Sequence, residues 1–197
     1  MITIHPKAET KIREENAFEL FKHNGLICCV QRMGHSGNLN GYVAITKDHP
    51  LFGKLYSDKI KVNEEPKFNG NYIGLLCAAF DDKKEENVYS IDMALNVHGG
   101  ITFSRAELAG VDKELFGELW WFGFDTAHAG DLRPFQTDID RKYPLTDEEY
   151  RDFEYVKDET KQLAEQLIKI GEGVLAAGCC ATLPITLTGL FSLANRN

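Results

Sequence analysis

The stretch Leu119-Trp-Trp-Phe-Gly-Phe-Asp-Thr-Ala-His-Ala-Gly-Asp131 decides the fold prediction. It begins with an apolar run, which is typical of a strand buried on both faces of a sheet. The run ends in a loop of small residues that carries Asp125, His128 and Asp131. A rigid strand that delivers ionisable groups into such a loop positions them for a ligand. The stretch therefore predicts a buried strand with a functional site at its end.

The length, charge and cysteines of the chain limit what it can be. Its 197 residues are enough for one domain with a sizeable core. The net charge of −8 argues against a protein that binds long nucleic acids, because that function needs a basic surface. The five cysteines include two adjacent pairs and no CxxC spacing, which favours reduced, buried thiols. The first residues lack the apolar run of a signal peptide, so we expect a cytosolic protein.

Short apolar runs predict the strands of a sheet, and their early position favours antiparallel pairing. The predicted strands lie at 26–30, 41–45, 88–97, 101–104 and 119–124. Residues 9–24 are charged and compatible with a helix. We therefore expect a mainly antiparallel sheet.

A long helix is predicted near the end of the domain. Thr146 to Glu149 has the form of a capping box, and apolar residues then recur every three or four positions from Tyr150 to Ile170. This pattern predicts an α+β fold in which a long C-terminal amphipathic helix packs on the sheet. Residues 1–170 are expected to form a single domain, and 63–90 is a predicted insertion.

The apolar tail, residues 171–197, has two interpretations. The segment from Gly173 to Asn195 contains no charged residue. A helix rising about 1.5 Å per residue over this length would cross a hydrocarbon layer of about 30 Å, so the tail is a candidate membrane anchor. The alternative is a buried helical hairpin broken at Pro184, because proline interrupts helices.

The spacing of Asp125, His128 and Asp131 is the most specific chemical pattern. A carboxylate bonded to one imidazole nitrogen fixes the tautomer and raises the basicity of the other nitrogen, as a general base requires. The same groups would also serve as ligands for a divalent metal if His98 joined them. The sequence leaves the cofactor open, and the plainer alternative is that one aspartate only caps the loop.

His98-Gly99-Gly100 is the second pattern. Two glycines after a histidine expose backbone N–H groups that can cradle an anion such as a phosphate, and Thr102 would add a hydroxyl donor. The alternative is a tight turn at the end of a strand. Tyr56 and Arg133 are weaker candidates for substrate binding.

Five ordered strings resemble a family of small bacteriophage and prophage proteins that have no assigned activity. The strings are Asn40-Gly-Tyr-Val-Ala-Ile45, His49-Pro-Leu-Phe-Gly-Lys-Leu-Tyr-Ser-Asp58, Val97-His-Gly-Gly-Ile-Thr-Phe-Ser104, Trp120-Trp-Phe-Gly-Phe-Asp-Thr-Ala-His-Ala-Gly-Asp131 and Tyr150-Arg-Asp-Phe-Glu-Tyr-Val156. The resemblance covers residues 25–170 except 63–90, and it adds His49 to the candidate substrate-binding residues. It implies a protein of the host-cell cytoplasm, tethered to the inner membrane if the tail is an anchor.

Three functional hypotheses follow. The leading one is an enzyme that cleaves a nucleotide or another phosphate-containing small molecule, with His98 and His128 as the acid–base pair. Asp125 or Asp131 would orient His128, while Gly99, Gly100 and Thr102 would hold the phosphate. The resemblance implies that a host cyclic-nucleotide defence signal is a fitting substrate. The alternatives are a counter-defence protein that sequesters a small ligand without turnover, and a structural or membrane-associated phage protein.

Overall fold

The computed structural model describes residues 3–62, 87–137 and 147–178. The strands in these ranges are β1 (Thr3–Ile4), β2 (Phe18–His23), β3 (Leu26–Arg32), β4 (Leu39–Ile45), β5 (Lys59–Lys61), β6 (Val88–Ser90), β7 (Phe103–Arg105), β8 (Trp120–Asp125) and β9 (Phe135–Gln136). The helices are a 3-10 helix (Pro6–Ala8), α1 (Glu9–Glu14), α2 (Ile91–Ala94), α3 (Lys113–Phe116) and α4 (Phe153–Gly178).

Five of the described strands form one sheet in the order β2-β3-β4-β8-β7, and each neighbouring pair is antiparallel. β8 comes from the stretch that predicted a buried strand. It lies inside the sheet between β4 and β7, and its Phe122 and Phe124 side chains are fully covered. The register pairs Asn40 of β4 with Asp125 of β8, so two polar side chains meet at the end of this strand pair. The mainly antiparallel sheet of the prediction is confirmed.

Helix α4 covers one face of the sheet and contacts β3 and β4. The helix side chains that are buried against the sheet include those of Phe153, Val156, Leu163 and Leu167. The approach is closest at Gly41, where a side chain would overlap the Thr160 hydroxyl. The amphipathic pattern therefore has its predicted role, and the α+β fold is confirmed.

The start of this helix differs from the prediction. Thr146 lies outside the described residues, and Glu149 forms a β-bridge with Asp131 instead of closing a capping box. The helix begins at Phe153, because the Asp152 carboxylate accepts a hydrogen bond of 3.0 Å from the backbone N–H of Tyr155. Tyr150 therefore precedes the helix.

Two predicted segments also divide differently. Residues 9–24 contain helix α1 and then strand β2, so only the first part is helical. The predicted strand at 88–97 contains the three-residue strand β6 followed by helix α2. Cross-strand pairing explains the first difference, because Leu20 and Phe21 pair with Cys29 and Cys28 of β3.

The other face of the sheet packs against the chain between β7 and β8. Its core contains Tyr42, Leu108, Leu119 and Trp121. The neighbouring Trp120 packs against the helix-side core, because successive side chains of a strand point to opposite faces. Both faces of the sheet are therefore covered.

The predicted insertion and tail lie largely outside the described residues. Of 63–90, the described part includes β6, which pairs with β5 in a two-stranded sheet. Helix α4 continues as far as Gly178, and the remainder of the predicted anchor is beyond it. Among the helices that the structure describes, none is sufficiently long and apolar to cross a bilayer.

Candidate functional site

Two histidines that are far apart in sequence lie together at the end of the sheet. Strand β8 ends at Asp125 and leads into the loop that carries His128, while the turn after Val97 brings His98 to the same place. The two imidazole ring centroids are 5.7 Å apart. The structure thus brings together the two residues that the sequence proposed as an acid–base pair.

His98 is held at both ring nitrogens. Its Nε2 lies 2.7 Å from Oδ2 of Asp131, and its Nδ1 lies 2.9 Å from the hydroxyl of Tyr155 on α4. The backbone N–H of His98 also donates to Glu159, at 2.9 Å. An ionised carboxylate only accepts hydrogen bonds, so the proton at this contact belongs to Nε2 of His98. The result is a carboxylate–imidazole–phenol chain.

The Asp131 carboxylate is buried and ionised. Burial raises the pKa of Asp131, but hydrogen bonds from His98, Arg151 and the backbone of His128 outweigh burial and hold the pKa below its usual range. Arg151 donates from Nε to Oδ1 at 3.1 Å, and its Nη1 bonds Glu149 at 2.7 Å. The Arg151 guanidinium also lies 5.1 Å from the centre of the Tyr155 ring. The buried charge of Asp131 is therefore fully paired.

His128 is held differently. Its backbone N–H donates to Asp131 at 3.1 Å, but its side-chain Nδ1 is 3.7 Å from both Asp131 Oδ2 and Asp125 Oδ1, beyond hydrogen-bond range. This nitrogen is buried and has no hydrogen-bond partner, although the side chain as a whole is 33% exposed. Asp131 therefore orients the side chain of His98, whereas the sequence predicted that Asp125 or Asp131 would orient His128.

The two glycines after His98 serve the turn. Gly100 donates its N–H to the carbonyl of Val97 at 3.1 Å, so this N–H is not available for the predicted phosphate cradle. Gly99 has a φ of +67°, and a side chain there would overlap the His128 ring. Gly99 is therefore the position that lets the two histidines approach.

Asp125 and Thr102 form a second polar pair beside His128. The Thr102 hydroxyl donates to Oδ2 of Asp125 at 2.8 Å, and the backbone N–H of Ala127 donates to Oδ1 at 3.1 Å. Thr102 is exposed, so its hydroxyl oxygen is accessible to a ligand.

The other binding residues that the sequence proposed are His49, Tyr56 and Arg133. His49 donates from Nε2 to the carbonyl of Leu167 at 2.8 Å and accepts from the backbone of Leu51, about 18 Å along α4 from Tyr155. Burial lowers the pKa of His49, and both of its ring nitrogens bond backbone groups. The side chain of Tyr56 is exposed, and its backbone N–H donates a hydrogen bond to the Ser104 hydroxyl.

Arg133 is also exposed and follows Asp131 by two residues, but the arginine that pairs with Asp131 is Arg151.

Three of the four candidate metal ligands are close enough to share one ion. Donor atoms of His98, His128 and Asp131 all lie within 4.8 Å of one another. Three protein ligands with an open position are the usual arrangement of a catalytic zinc. The Arg151 guanidinium on the same carboxylate opposes a cation there, because like charges repel.

Sequence reasoning missed the helix residues of the site. Tyr155 and Glu159 are one helical turn apart and both bond His98. Periodicity did not include either residue in the apolar face of the helix; the available signal was the spacing of three polar groups, Arg151 just before α4 and Tyr155 and Glu159 within it.

No protein-family model, curated protein or solved structure matches the chain.

Proposed function

We propose that this chain is a hydrolase that cleaves a phosphate-containing small molecule, with nucleotides as the leading substrate class. The observation that carries the proposal is the imidazole pair, with ring centroids 5.7 Å apart. Acid–base cleavage of a phosphoester needs one group that accepts a proton from the nucleophile and one that supplies a proton to the leaving oxygen. Arg151 lies beside this pair and bonds both Asp131 and Glu149, so the choice of a phosphate-containing substrate rests on the imidazole pair.

His128 is the proposed general base. Its Nδ1 is buried, so the outer ring nitrogen Nε2 is the one that takes a proton from an attacking water. The water oxygen then bonds to phosphorus as the bond from phosphorus to the leaving oxygen breaks. The carboxylates of Asp125 and Asp131, each 3.7 Å from Nδ1, stabilise the imidazolium that forms.

Tyr155 and His98 together are the proposed general acid. When His98 is an imidazolium, it donates from Nε2 to Asp131 and from Nδ1 to the Tyr155 oxygen. Tyr155 then gives its own hydroxyl proton to the leaving oxygen and receives the Nδ1 proton of His98. Burial and the neighbouring Glu159 raise the pKa of Tyr155, which keeps the phenol protonated before this step. Asp131 acts as a positioning residue for His98.

Incubation of the full chain with a panel of cyclic dinucleotides and ADP-ribose derivatives tests the proposal directly. The resemblance to bacteriophage proteins makes host signalling nucleotides the first substrates to try. We expect turnover of at least one compound, and a loss of about 10²-fold or more in His128→Gln. The matched control is His35→Gln, which changes an exposed histidine in the turn between β3 and β4. If no compound is cleaved, with or without divalent metals, the hydrolase proposal is wrong.

A second candidate is a non-catalytic protein that sequesters the same class of ligand. The observation in its favour is that both nitrogens of His98 and both oxygens of Asp131 already have protein partners. A pure binder would lose affinity in His128→Gln and would release no product, whereas the hydrolase would keep much of its affinity and lose rate. Calorimetric titration alongside product analysis separates the two.

A further inference from the structure

A cleft of about 1230 Å³ lies on the sheet face opposite α4. We call it the second-face cleft; it lies between the ends of β4, β7 and β8 and the chain at 105–119. Its sheet side includes Asn40, Tyr42, Phe103 and Asp125. Typical small-molecule pockets measure about 300–1,000 Å³, so this cleft is large enough for a nucleoside.

The second-face cleft and the imidazole pair are joined by Asp125. The carboxylate lines the cleft, and its Oδ1 lies 3.7 Å from Nδ1 of His128. Thr102 lines the cleft as well and bonds the other carboxylate oxygen. A molecule seated in the cleft with one end at Asp125 would therefore present that end to His128.

A directed series of hydrogen bonds begins at Asn38, just before β4, and ends at the cleft residues Asn40 and Tyr42. Asn38 donates to Asn40 at 2.8 Å, and Asn40 donates to the Tyr42 hydroxyl at 2.9 Å. Because the hydroxyl accepts here, its own proton remains to be donated to a ligand. Burial raises the pKa of Tyr42, so the hydroxyl keeps that proton at neutral pH.

Aromatic rings and a weak net charge define the ligand that fits. Phe103 and the exposed Phe116 line the cleft and offer ring faces or edges. The charged residues that line the cleft balance in number: three are basic (Arg32, Arg105 and Lys113) and three are acidic (Glu107, Asp112 and Asp125). Lys113 is paired with Glu107 at 2.9 Å. The site thus suits an uncharged planar ring with polar edges.

We propose that the second-face cleft binds the nucleoside part of the substrate. The nucleobase packs against Phe103 and Phe116, and the Tyr42 hydroxyl donates to a base or ribose oxygen. The ribose hydroxyls donate to Asp125 and Thr102, because a carboxylate is the usual acceptor for ribose hydroxyls. This inference rests on the proposed function for the position of the phosphate at His128, but nucleoside binding can be measured without turnover.

The test uses the full chain, four nucleosides (adenosine, guanosine, cytidine and uridine) and inorganic phosphate in separate titrations. Tyr42→Phe and Thr102→Val each remove one hydroxyl and keep the side-chain shape. We expect at least one nucleoside to bind and each variant to weaken it about five- to tenfold, as the loss of one hydrogen bond does. Phosphate binding should be unchanged in both variants. Thr10→Val, at an exposed position of α1, is the matched control and should behave as wild type.

The outcomes separate this inference from the hydrolase proposal. Nucleoside binding that weakens in both variants supports the cleft, even if no compound is cleaved. The inference is overturned if no nucleoside binds at millimolar concentration, or if binding and turnover are the same in Tyr42→Phe, Thr102→Val and wild type. In that second case turnover itself would still support the hydrolase. Circular dichroism of each variant confirms that it is folded.

Discussion

Replacing Gly99 by alanine tests the arrangement around His128 most directly. Gly99 has a φ of +67°, and an added Cβ would overlap the His128 ring, with Nε2 only 2.5 Å away. The ring must then move, or the turn that carries His98 must open. Either response separates the two imidazoles, which are 5.7 Å apart in the native arrangement.

Two effects add in Gly99→Ala, and Gly53→Ala separates them. A positive φ costs an alanine about 1–2 kcal/mol, and displacing a packed side chain costs about 1–3 kcal/mol. Gly53 has a φ of +77° and no atom within 4 Å of the position of a Cβ, so Gly53→Ala carries only the first effect. We expect the free energy of unfolding to fall by about 1–2 kcal/mol in Gly53→Ala and by about 2–5 kcal/mol in Gly99→Ala.

Urea unfolding gives the two free energies, and NMR of the histidine ring protons reports the position of the His128 ring. Turnover or ligand binding should fall in Gly99→Ala and stay at the wild-type level in Gly53→Ala. Equal stabilities for the two variants, together with unchanged His128 ring signals in Gly99→Ala, would refute the close packing of the ring on Gly99.

Three further predictions concern the ionisable groups. Asp131→Asn should lower the free energy of unfolding by about 1.5–3 kcal/mol at pH 7, as measured by urea unfolding. The folded-state pKa of Asp131 is depressed, so the wild-type advantage should be complete above the unfolded-state pKa of about 3.9. It should disappear as the pH falls through the folded-state pKa. The proposed acid–base mechanism predicts that a chelator leaves turnover unchanged and that added Zn²⁺ inhibits, because the metal would occupy the two imidazoles; loss of turnover on chelation would contradict it. His49→Phe should lose about 1 kcal/mol of stability with its hydrogen bonds to Leu167 and Leu51, while ligand affinity stays at the wild-type value; weaker binding would restore His49 to the site.

The parts of the fold that could be predicted are those where burial dominates. The apolar run of β8 is buried on both faces, and the apolar side of α4 packs on the sheet, so hydrophobic patterning alone identified both. The segment at 9–24 was harder, because Phe18 to His23 is a strand with only partly buried side chains. Its strand conformation follows from pairing with β3, a long-range contact that local sequence does not encode.

Only part of the candidate site was predicted, again because some of its contacts are between residues far apart in the sequence. His98 and His128 each follow an apolar run and precede a glycine-containing turn, so both could be located at the edge of the sheet. Tyr155 and Glu159 lie in a regular helix, where an exposed polar residue is the ordinary case. Their role depends on where the first turns of α4 meet the turn at His98, which is a tertiary contact.

The two histidines differ in a way that bears on the choice between a hydrolase and a binder. His98 is bonded at its backbone N–H and at both ring nitrogens, as expected of a group that must keep one orientation. His128 keeps a buried Nδ1 without a partner, and an unsatisfied buried nitrogen costs about 1–3 kcal/mol. A purely structural histidine gains nothing from that penalty, whereas a histidine that becomes protonated during a reaction recovers it, because two carboxylates lie 3.7 Å from Nδ1. The unpartnered nitrogen is therefore better explained by the general-base role that we propose for His128 than by a protein that only sequesters its ligand.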